Sequence, residues 1–355
     1  GAGEAGSLGP GPKRSSQVLG ECSILHDRTL DIESIFPGTS TEEEQHPAPI
    51  VPHENGFHVT TLAGDPTQGG GFRDGRGTKA MFSEPGGPLA IDNAGFVYVA
   101  DAGNNRIRKI TPDGETTTIA GMEYRGQADG YGTWTLFDYP NAVDADPEGN
   151  LYVADTGNHA IRKITPKGFT TTLYSNQISA ELEPKDPPET YLPRRFPPLH
   201  RPCGIEFCKS DGLLYFANSG AHNVIKMDPR TLEIRVIAGH GALSRVYTIF
   251  PKHSSNAGYV DGAAWLSLFN QPQDITVDPT GRVIIADTWN DLIRAVSPVG
   301  EVTRVSGTGL PDEARDGIAE LATYFGVFSV AFDPHEGRIF MSDKYNNRIR
   351  SVNPD

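Results

Sequence analysis

The sequence VYVADAGNNRIRKITPDG, residues 97–114, returns at residues 151–168 as LYVADTGNHAIRKITPKG. Two weaker copies follow, VIIADTWNDLIRAVSP at 283–298 and IFMSDKYNNRIRSVNP at 339–354. The remaining copy, LYFANSGAHNVIKMDP at 214–229, is more divergent. The matching positions 101, 155, 218, 287 and 343 lie roughly 55–70 residues apart, a period that indicates a chain built from repeated supersecondary units.

Each copy is predicted to form four short strands. A first strand follows a proline, a D-x-x-G or D-P-x-G turn leads to the apolar second strand, and a hairpin of glycine and asparagine leads to the third. A P-x-G turn then precedes a threonine-rich fourth strand such as ETTTIAG at 115–121. Glycine, asparagine and aspartate suit the turns, and β-branched residues suit the strands between them. Repeated units of four antiparallel strands predict the blades of an all-β propeller.

The repeats resemble those of the NHL family. The resemblance rests on V-A-D-x-G-N-x-x-I-R-K-I-T and on the linking pattern D-G-x-G-x-x-x-x-F-x-x-P, present as DGRGTKAMFSEP at 74–85 and DGYGTWTLFDYP at 129–140. It covers residues 57–355, so we expect one NHL-type propeller there, preceded by an irregular, low-complexity tail over residues 1–56. The resemblance implies the fold but no particular function, because one fold hosts many activities.

The copies predict five blades closed by an N-terminal strand. The fifth copy ends after its third strand, whereas a lone fourth-strand sequence, HVTTLAG at 58–64, precedes the first copy. Pairing of residues 58–64 with the last blade closes the ring and removes exposed strand edges. Six blades remain the alternative, with residues 17–36 contributing strands to a degenerate extra unit.

An aspartate recurs in four copies with an arginine seven residues later. The pairs are Asp101 with Arg108, Asp155 with Arg162, Asp287 with Arg294 and Asp343 with Arg350. In the divergent copy both members change together, to Asn218 and Ile225. Simultaneous loss of two charges is typical of partners that neutralise each other, so we interpret the pairs as structural ion pairs rather than catalytic groups.

Metal chemistry has a small set of candidates. Propellers of the calcium-dependent lactonase type need several oxygen ligands that converge on the central channel, and the residues near each first-strand proline are expected there. Among them, the weak metal candidates are Glu84, Asn141, Gln273 and Asp274. Propeller lyases hold zinc on histidines, but His159 and His222 fall on separate hairpins, where a structural role is expected and no third histidine is expected to join them.

Two insertions flank the divergent third copy. Residues 175–199 and 240–260 replace connections between a fourth and a first strand, and long loops in compact domains are often functional. The first insertion contains a cluster that we predict to contact a protein partner, namely Tyr191, Arg194, Arg195 and Phe196.

These patterns favour a non-catalytic interaction or scaffold propeller, as a subunit or domain of a larger assembly, with no cofactor. A metal-dependent hydrolase or lyase, with calcium or zinc in the central channel, is the first alternative, and an RNA-binding NHL domain is the second. The net charge of −14 disfavours nucleic-acid binding. No apolar run reaches the length of a membrane helix, so membrane insertion is not expected.

Overall fold

The computed structural model describes residues 60–67, 69–182, 197–239 and 257–353. All of them belong to the larger of the two units into which the chain divides, Pro52–Asp355. The predicted tail, most of both insertions and the residues 17–36 of the six-blade alternative lie outside the described residues.

The described chain folds into five antiparallel sheets, which are the blades of a propeller. Blade 1 contains β1 to β5, at Gly75–Arg76, Ala90–Ile91, Val97–Asp101, Arg106–Ile110 and Glu115–Gly121. Blade 2 contains β6 to β10, at Gly130–Tyr131, Pro140–Ala145, Leu151–Asp155, Ala160–Ile164 and Phe169–Ser175. A short helix, α1 (Asn176–Leu182), follows blade 2 directly.

Blade 4 repeats this arrangement of five strands, whereas blades 3 and 5 have four and three among the described residues. Blade 3 contains β11 to β14, at Pro202–Cys208, Leu213–Asn218, Asn223–Met227 and Ile234–Ala238. Blade 4 contains β15 to β19, at Gly262–Ala263, Asp274–Val277, Val283–Asp287, Leu292–Val296 and Glu301–Ser306. Blade 5 contains β20 to β22, at Val327–Asp333, Arg338–Asp343 and Arg348–Val352. The predicted all-β propeller of five blades is thereby confirmed.

Each blade runs in sequence order from an inner to an outer strand. In blades 1, 2 and 4 the two-residue strand of the D-G linker pairs outside the fourth strand, as β6 does with β10. Buried apolar side chains pack blade against blade, and Phe137, with no exposed surface, fills the junction of blades 1 and 2. Burial of a phenylalanine of this kind contributes about 1.5–3 kcal/mol. Within the described ranges, no helix is both long and apolar enough to cross a membrane.

The predicted closing strand differs from the expectation. Residues 60–64 are not in a strand, and among the described residues blade 5 has three strands. The amide of Gly64 donates instead to the carbonyl of Gly77 in blade 1, at 3.1 Å. The ends of the fourth strands of blades 3 and 4 make the same bond to the next D-G linker, from Gly239 to Ala264 and from Gly307 to Ala319. Blade 1 therefore holds Gly64 in the way that other blades hold the last residue of a fourth strand. The described part of the segment, residues 60–64, is not paired with blade 5.

Blades 1 and 2 approach each other so closely at Gly87 that a side chain does not fit. A Cβ at this position would lie 1.5 Å from the carbonyl oxygen of Asn141, which is backbone and cannot rotate away. We expect Gly87→Ala to lower the free energy of unfolding by about 1–3 kcal/mol, the usual range for overpacking. Urea unfolding measures this, with Gly86→Ala as the matched control because a Cβ there meets no atom within 4 Å. Equal stability of the two variants would contradict the close approach.

Candidate functional site

In blades 1 to 4, a residue shortly before the first strand adopts an unusual backbone conformation. Glu84, Tyr139, Arg201 and Gln271 each precede a proline and have φ values of 53°, 53°, 54° and 48°. A positive φ is uncommon for residues other than glycine, and a following proline restricts the conformation further. Such backbone persists only where surrounding contacts hold it in place.

For Tyr139, Arg201 and Gln271, the contact that holds this conformation comes from the preceding blade, and Gly326 at blade 5 receives the same contact. We call it the latch: the backbone N–H of the residue before or at the start of a first strand donates to the side chain at the second-to-third hairpin of the blade before. The latches are Tyr139 to Asn105 Oδ1 (2.9 Å), Arg201 to His159 Nδ1 (2.9 Å), Gln271 to His222 Nδ1 (3.0 Å) and Gly326 to Asp291 Oδ1 (2.7 Å). All four hairpin residues have a left-handed backbone, with φ between 52° and 57°. The repeated hairpin position therefore connects consecutive blades.

The four weak metal candidates are not grouped as a coordination site. The carboxylate of Glu84 accepts a hydrogen bond from the Tyr139 hydroxyl at 2.5 Å. Gln273 is buried and donates to the Ser219 hydroxyl at 3.0 Å, while Asn141 is partly buried at the start of β7. Across the part of the chain that the structure describes, no three His, Cys, Asp or Glu side chains are placed to hold a metal ion.

Asp274 lines a cavity of about 640 Å³ between the inner strands, to which all five blades contribute residues in or next to their first strands. Two further carboxylates from blades 2 and 3, Asp144 and Glu206, line the same cavity. Each carboxylate accepts a backbone N–H from the next blade: Asp144 from Phe207 (2.7 Å), Glu206 from Val277 (3.2 Å) and Asp274 from Val330 (3.1 Å). The three groups therefore connect neighbouring inner strands around the central channel.

Burial in this channel raises the pKa of all three carboxyl groups. The pKa of Asp144 is raised by burial, and burial raises the pKa values of Glu206 and Asp274 to about 7. The carboxylates of Asp144 and Asp274 further raise the pKa of Glu206. Sequence reasoning missed Asp144 and Glu206 as channel residues, although an acidic residue inside an apolar strand is a signal that could have identified them.

The repeated aspartate and arginine side chains are buried and in contact. The guanidinium groups of Arg108, Arg162 and Arg294 have no exposed surface, and that of Arg350 has little. The nitrogen–oxygen distances are 2.5 Å between Asp101 and Arg108, 2.7 Å between Asp155 and Arg162, 3.2 Å between Asp287 and Arg294, and 3.1 Å between Asp343 and Arg350. The two members of each pair are therefore in direct contact.

Each of these arginines also binds a second carboxylate, that of the D-G linker. Arg108 binds Asp74, Arg162 binds Asp129, Arg294 binds Asp261 and Arg350 binds Asp316. The linker aspartates are more exposed than the aspartates of the pairs. The arginine thus joins the second strand of its blade to the linker that leads into the blade.

The buried aspartate of each pair also orients the chain that enters its own first strand. Asp155, for example, accepts the backbone N–H of Asp138 at 2.9 Å, one residue before the left-handed Tyr139. In blade 3, Asn218 takes over this role and accepts the N–H of His200 at 2.6 Å. The pairs therefore hold backbone and linker in place.

His200 lies beside His159 at the entrance to blade 3. The rings of His159 and His200 have centroids 5.2 Å apart, and His200 also acts electrostatically on His222. The sequence singled out His159 and His222 but not His200; across the described residues no three His, Cys, Asp or Glu side chains are placed to hold a metal ion, and the structural role expected of His159 and His222 remains a prediction. The Nδ1 atoms of His159 and His222 both accept backbone hydrogen bonds, so each of these two rings connects its blade to the next one.

All three tryptophans of the chain lie on the surface. Trp134, Trp265 and Trp289 are 82%, 53% and 57% exposed. Trp134 and Trp265 belong to the D-G linkers of blades 2 and 4, and Trp289 belongs to the hairpin of blade 4. The predicted partner-contacting residues Tyr191, Arg194, Arg195 and Phe196 lie outside the described residues.

Comparison with known proteins identifies the repeat. A family model for the NHL repeat matches residues 137–164 and 269–295. The chain is 27% identical over 258 residues to Protein SUPPRESSOR OF QUENCHING 1, chloroplastic, of Arabidopsis thaliana. The matched region covers 67% of this chain and 22% of that protein. It is 25% identical over 288 residues to NHL repeat-containing protein 2 of Bos taurus, over 76% of this chain and 38% of the relative. The chain thus spans well under half the length of these two relatives.

Solved structures share the fold at low sequence identity. An auxiliary nutrient binding protein from Bacteroides ovatus superposes with a TM-score of 0.51 at 16% identity, over 75% of this chain and 58% of that one. A likeness at this level of identity supports the propeller architecture and nothing more specific.

Proposed function

We propose that this chain, which is an NHL-repeat β-propeller, works as a non-catalytic protein-interaction module within a larger assembly. The proposal rests on one observation, the exposure of all three tryptophans. Tryptophan is highly buried on average in folded proteins, and it is enriched among the residues that contribute most to binding at protein interfaces. Exposed tryptophans on three separate connections favour a surface that is covered by a partner.

The positions of these tryptophans in the repeat add to the argument. Trp134 occupies the place that Lys79 occupies in blade 1, and Trp289 occupies the place of Gly103 and Gly157. Because the equivalent blades fold with lysine or glycine there, the indole rings are not needed for blade formation. They are available for a role outside the fold.

The sequence cluster in the first insertion extends the proposed surface. Tyr191, Arg194, Arg195 and Phe196 combine two aromatic rings with two guanidinium groups, the residue types enriched in interfaces. Their contribution to partner binding is proposed from the sequence alone, so a separate variant tests it.

The test is quantitative capture of partners from a lysate of the native source by the immobilised, folded chain. We expect a combined variant, Trp134→Ser with Trp265→Ser and Trp289→Ser, to reduce capture of at least one specific partner by about tenfold or more, the effect of losing one interface hot spot. A second variant replaces the four residues of the insertion cluster by alanine. Thermal unfolding checks that both variants keep the wild-type stability.

The matched control is Val299→Ser, which removes another exposed apolar side chain, 89% accessible, from a turn between strands. Unchanged capture by both test variants would contradict the proposed surface. Stoichiometric calcium or zinc in the purified protein, lost together with thermal stability on chelation, would contradict the non-catalytic assignment and support the metal-dependent alternative.

A further inference from the structure

Blade 3 is attached to its neighbours differently from the other blades. The latch between blades 1 and 2 ends on the amide oxygen of Asn105, and that between blades 4 and 5 ends on the carboxylate of Asp291. Both latches of blade 3 end on an imidazole nitrogen, Nδ1 of His159 on one side and Nδ1 of His222 on the other. The two histidine latches therefore border one blade.

An imidazole Nδ1 can accept a hydrogen bond only while it carries no proton. A backbone N–H is always a donor, so His159 and His222 carry their single proton on Nε2 in this structure. Protonation places a second N–H on Nδ1, where it faces the N–H of Arg201 or of Gln271. The latch is then lost and replaced by a contact between two donors. Asn105 has no such titration, because its amide oxygen accepts at any physiological pH.

The surroundings of both rings disfavour the charged form. Burial, His200 and Arg201 lower the pKa of His159, while Asp138 opposes them; Asp138 is itself paired with Arg125 at 3.5 Å. Burial and His200 lower the pKa of His222. Each histidine is therefore neutral when the latch is closed, and it binds a proton more readily once the latch opens.

We propose that the histidine latches make the attachment of blade 3 sensitive to pH, so that this blade loosens from blades 2 and 4 in mildly acidic solution. The direction of the effect follows from the linkage between proton binding and latch opening. The pKa of each imidazole is lower in the closed state than its ordinary value near 6.5, so the closed state is favoured above that pH and loses this advantage as the pH falls. Each histidine can raise the equilibrium constant for latch opening by up to tenfold for each pH unit between its pKa in the open state and its lower pKa in the closed state.

The experiment is hydrogen exchange at pH 7.5 and pH 5.0, with rates corrected for the intrinsic pH dependence of amide exchange. In the wild type, we expect the protection of the Arg201 and Gln271 amides to fall at pH 5.0 by at least about tenfold more than that of Tyr139, whose latch ends on Asn105. This comparison needs no substitution and remains valid if a variant fails to fold. A similar change at all three amides, or no change at any, would overturn the proposal.

Substitution provides the second arm. The double variant His159→Asn with His222→Asn introduces the residue that blade 1 uses at the same position, which keeps an acceptor and removes the titration. We expect it to hold blade 3 equally at both pH values, and His335→Asn, at an exposed turn, to behave like the wild type. If the double variant keeps the wild-type pH dependence at Arg201 and Gln271, the histidines are not the switch.

Discussion

Replacement of Arg162 by isoleucine is expected to lower the free energy of unfolding by about 3–5 kcal/mol at neutral pH. The change leaves the carboxylate of Asp155 buried without its counter-charge, since both side chains are fully inaccessible to solvent. It also removes the hydrogen bonds that Arg162 donates to the carbonyls of Leu136 and Ala128. The loss is expected to shrink in mildly acidic solution, because burial already raises the pKa of Asp155 to about 6 and a protonated carboxyl needs no counter-charge.

The double variant Asp155→Asn with Arg162→Ile tests the reason for this loss. It reproduces the combination that blade 3 carries naturally, Asn218 with Ile225, so the buried charge and its partner disappear together. We expect it to be more stable than the sum of the two single substitutions predicts, with a coupling of about 0.5–3 kcal/mol. Urea unfolding of the four proteins at pH 5 and pH 7.5 measures the cycle. Additive losses would show that the pair contributes packing alone.

Substitution of Glu206 by glutamine is expected to remove a decline in stability at rising pH. The pKa of this carboxyl is raised from 4.5 to about 7 in the folded chain, chiefly by burial. An acid with a raised pKa stabilises the fold fully below its unfolded value and loses that contribution as the pH rises through the folded value. Between pH 4.5 and pH 8 we therefore expect the wild type to lose about 3 kcal/mol relative to Glu206→Gln.

The glutamine keeps an oxygen that can accept the N–H of Val277, so the bond between blades 3 and 4 survives the substitution. Unfolding midpoints in urea at pH 5, 6, 7 and 8 measure the effect. Glu301→Gln, at an exposed position on the fourth strand β19, is the matched control and should leave the pH profile unchanged. Parallel profiles for wild type and Glu206→Gln would show that this carboxyl titrates in the folded chain as it does in the unfolded chain, which would contradict its burial in the channel.

The channel carboxylates and the histidine latches act in opposite directions on acidification. Protonation of Glu206 and Asp274 favours the folded inner strands as the pH falls, whereas protonation of His159 and His222 weakens the latches of blade 3. Below pH 7, a global unfolding curve therefore reports only the difference between these two opposite effects on stability. Separation of the two effects needs the residue-specific exchange rates and the substitutions given above.

The sequence by itself determined the blade. Strands, hairpin turns and the aspartate–arginine pairs recur at fixed spacings, because the residues that form one antiparallel sheet are close together in the chain and their pattern has the period of the strand. Asp155 and Arg162, seven residues apart, can be paired from the repeat alone, and the D-G linker can be recognised from its turn residues. The number of blades followed from the number of copies.

Only the tertiary structure decided what joins one blade to the next. The latch from Arg201 to His159 spans 42 residues, and the channel carboxylates bind inner strands about 50–70 residues further along the chain. Such contacts depend on the angle and separation of packed blades. The side chains that set this angle and separation do not follow the local repeat, so the repeat does not predict them. For this reason the contact between His159 and His200, the bonds of Asp144 and Glu206 to the next blades, and the seat of Gly64 against blade 1 became visible only in the folded ring.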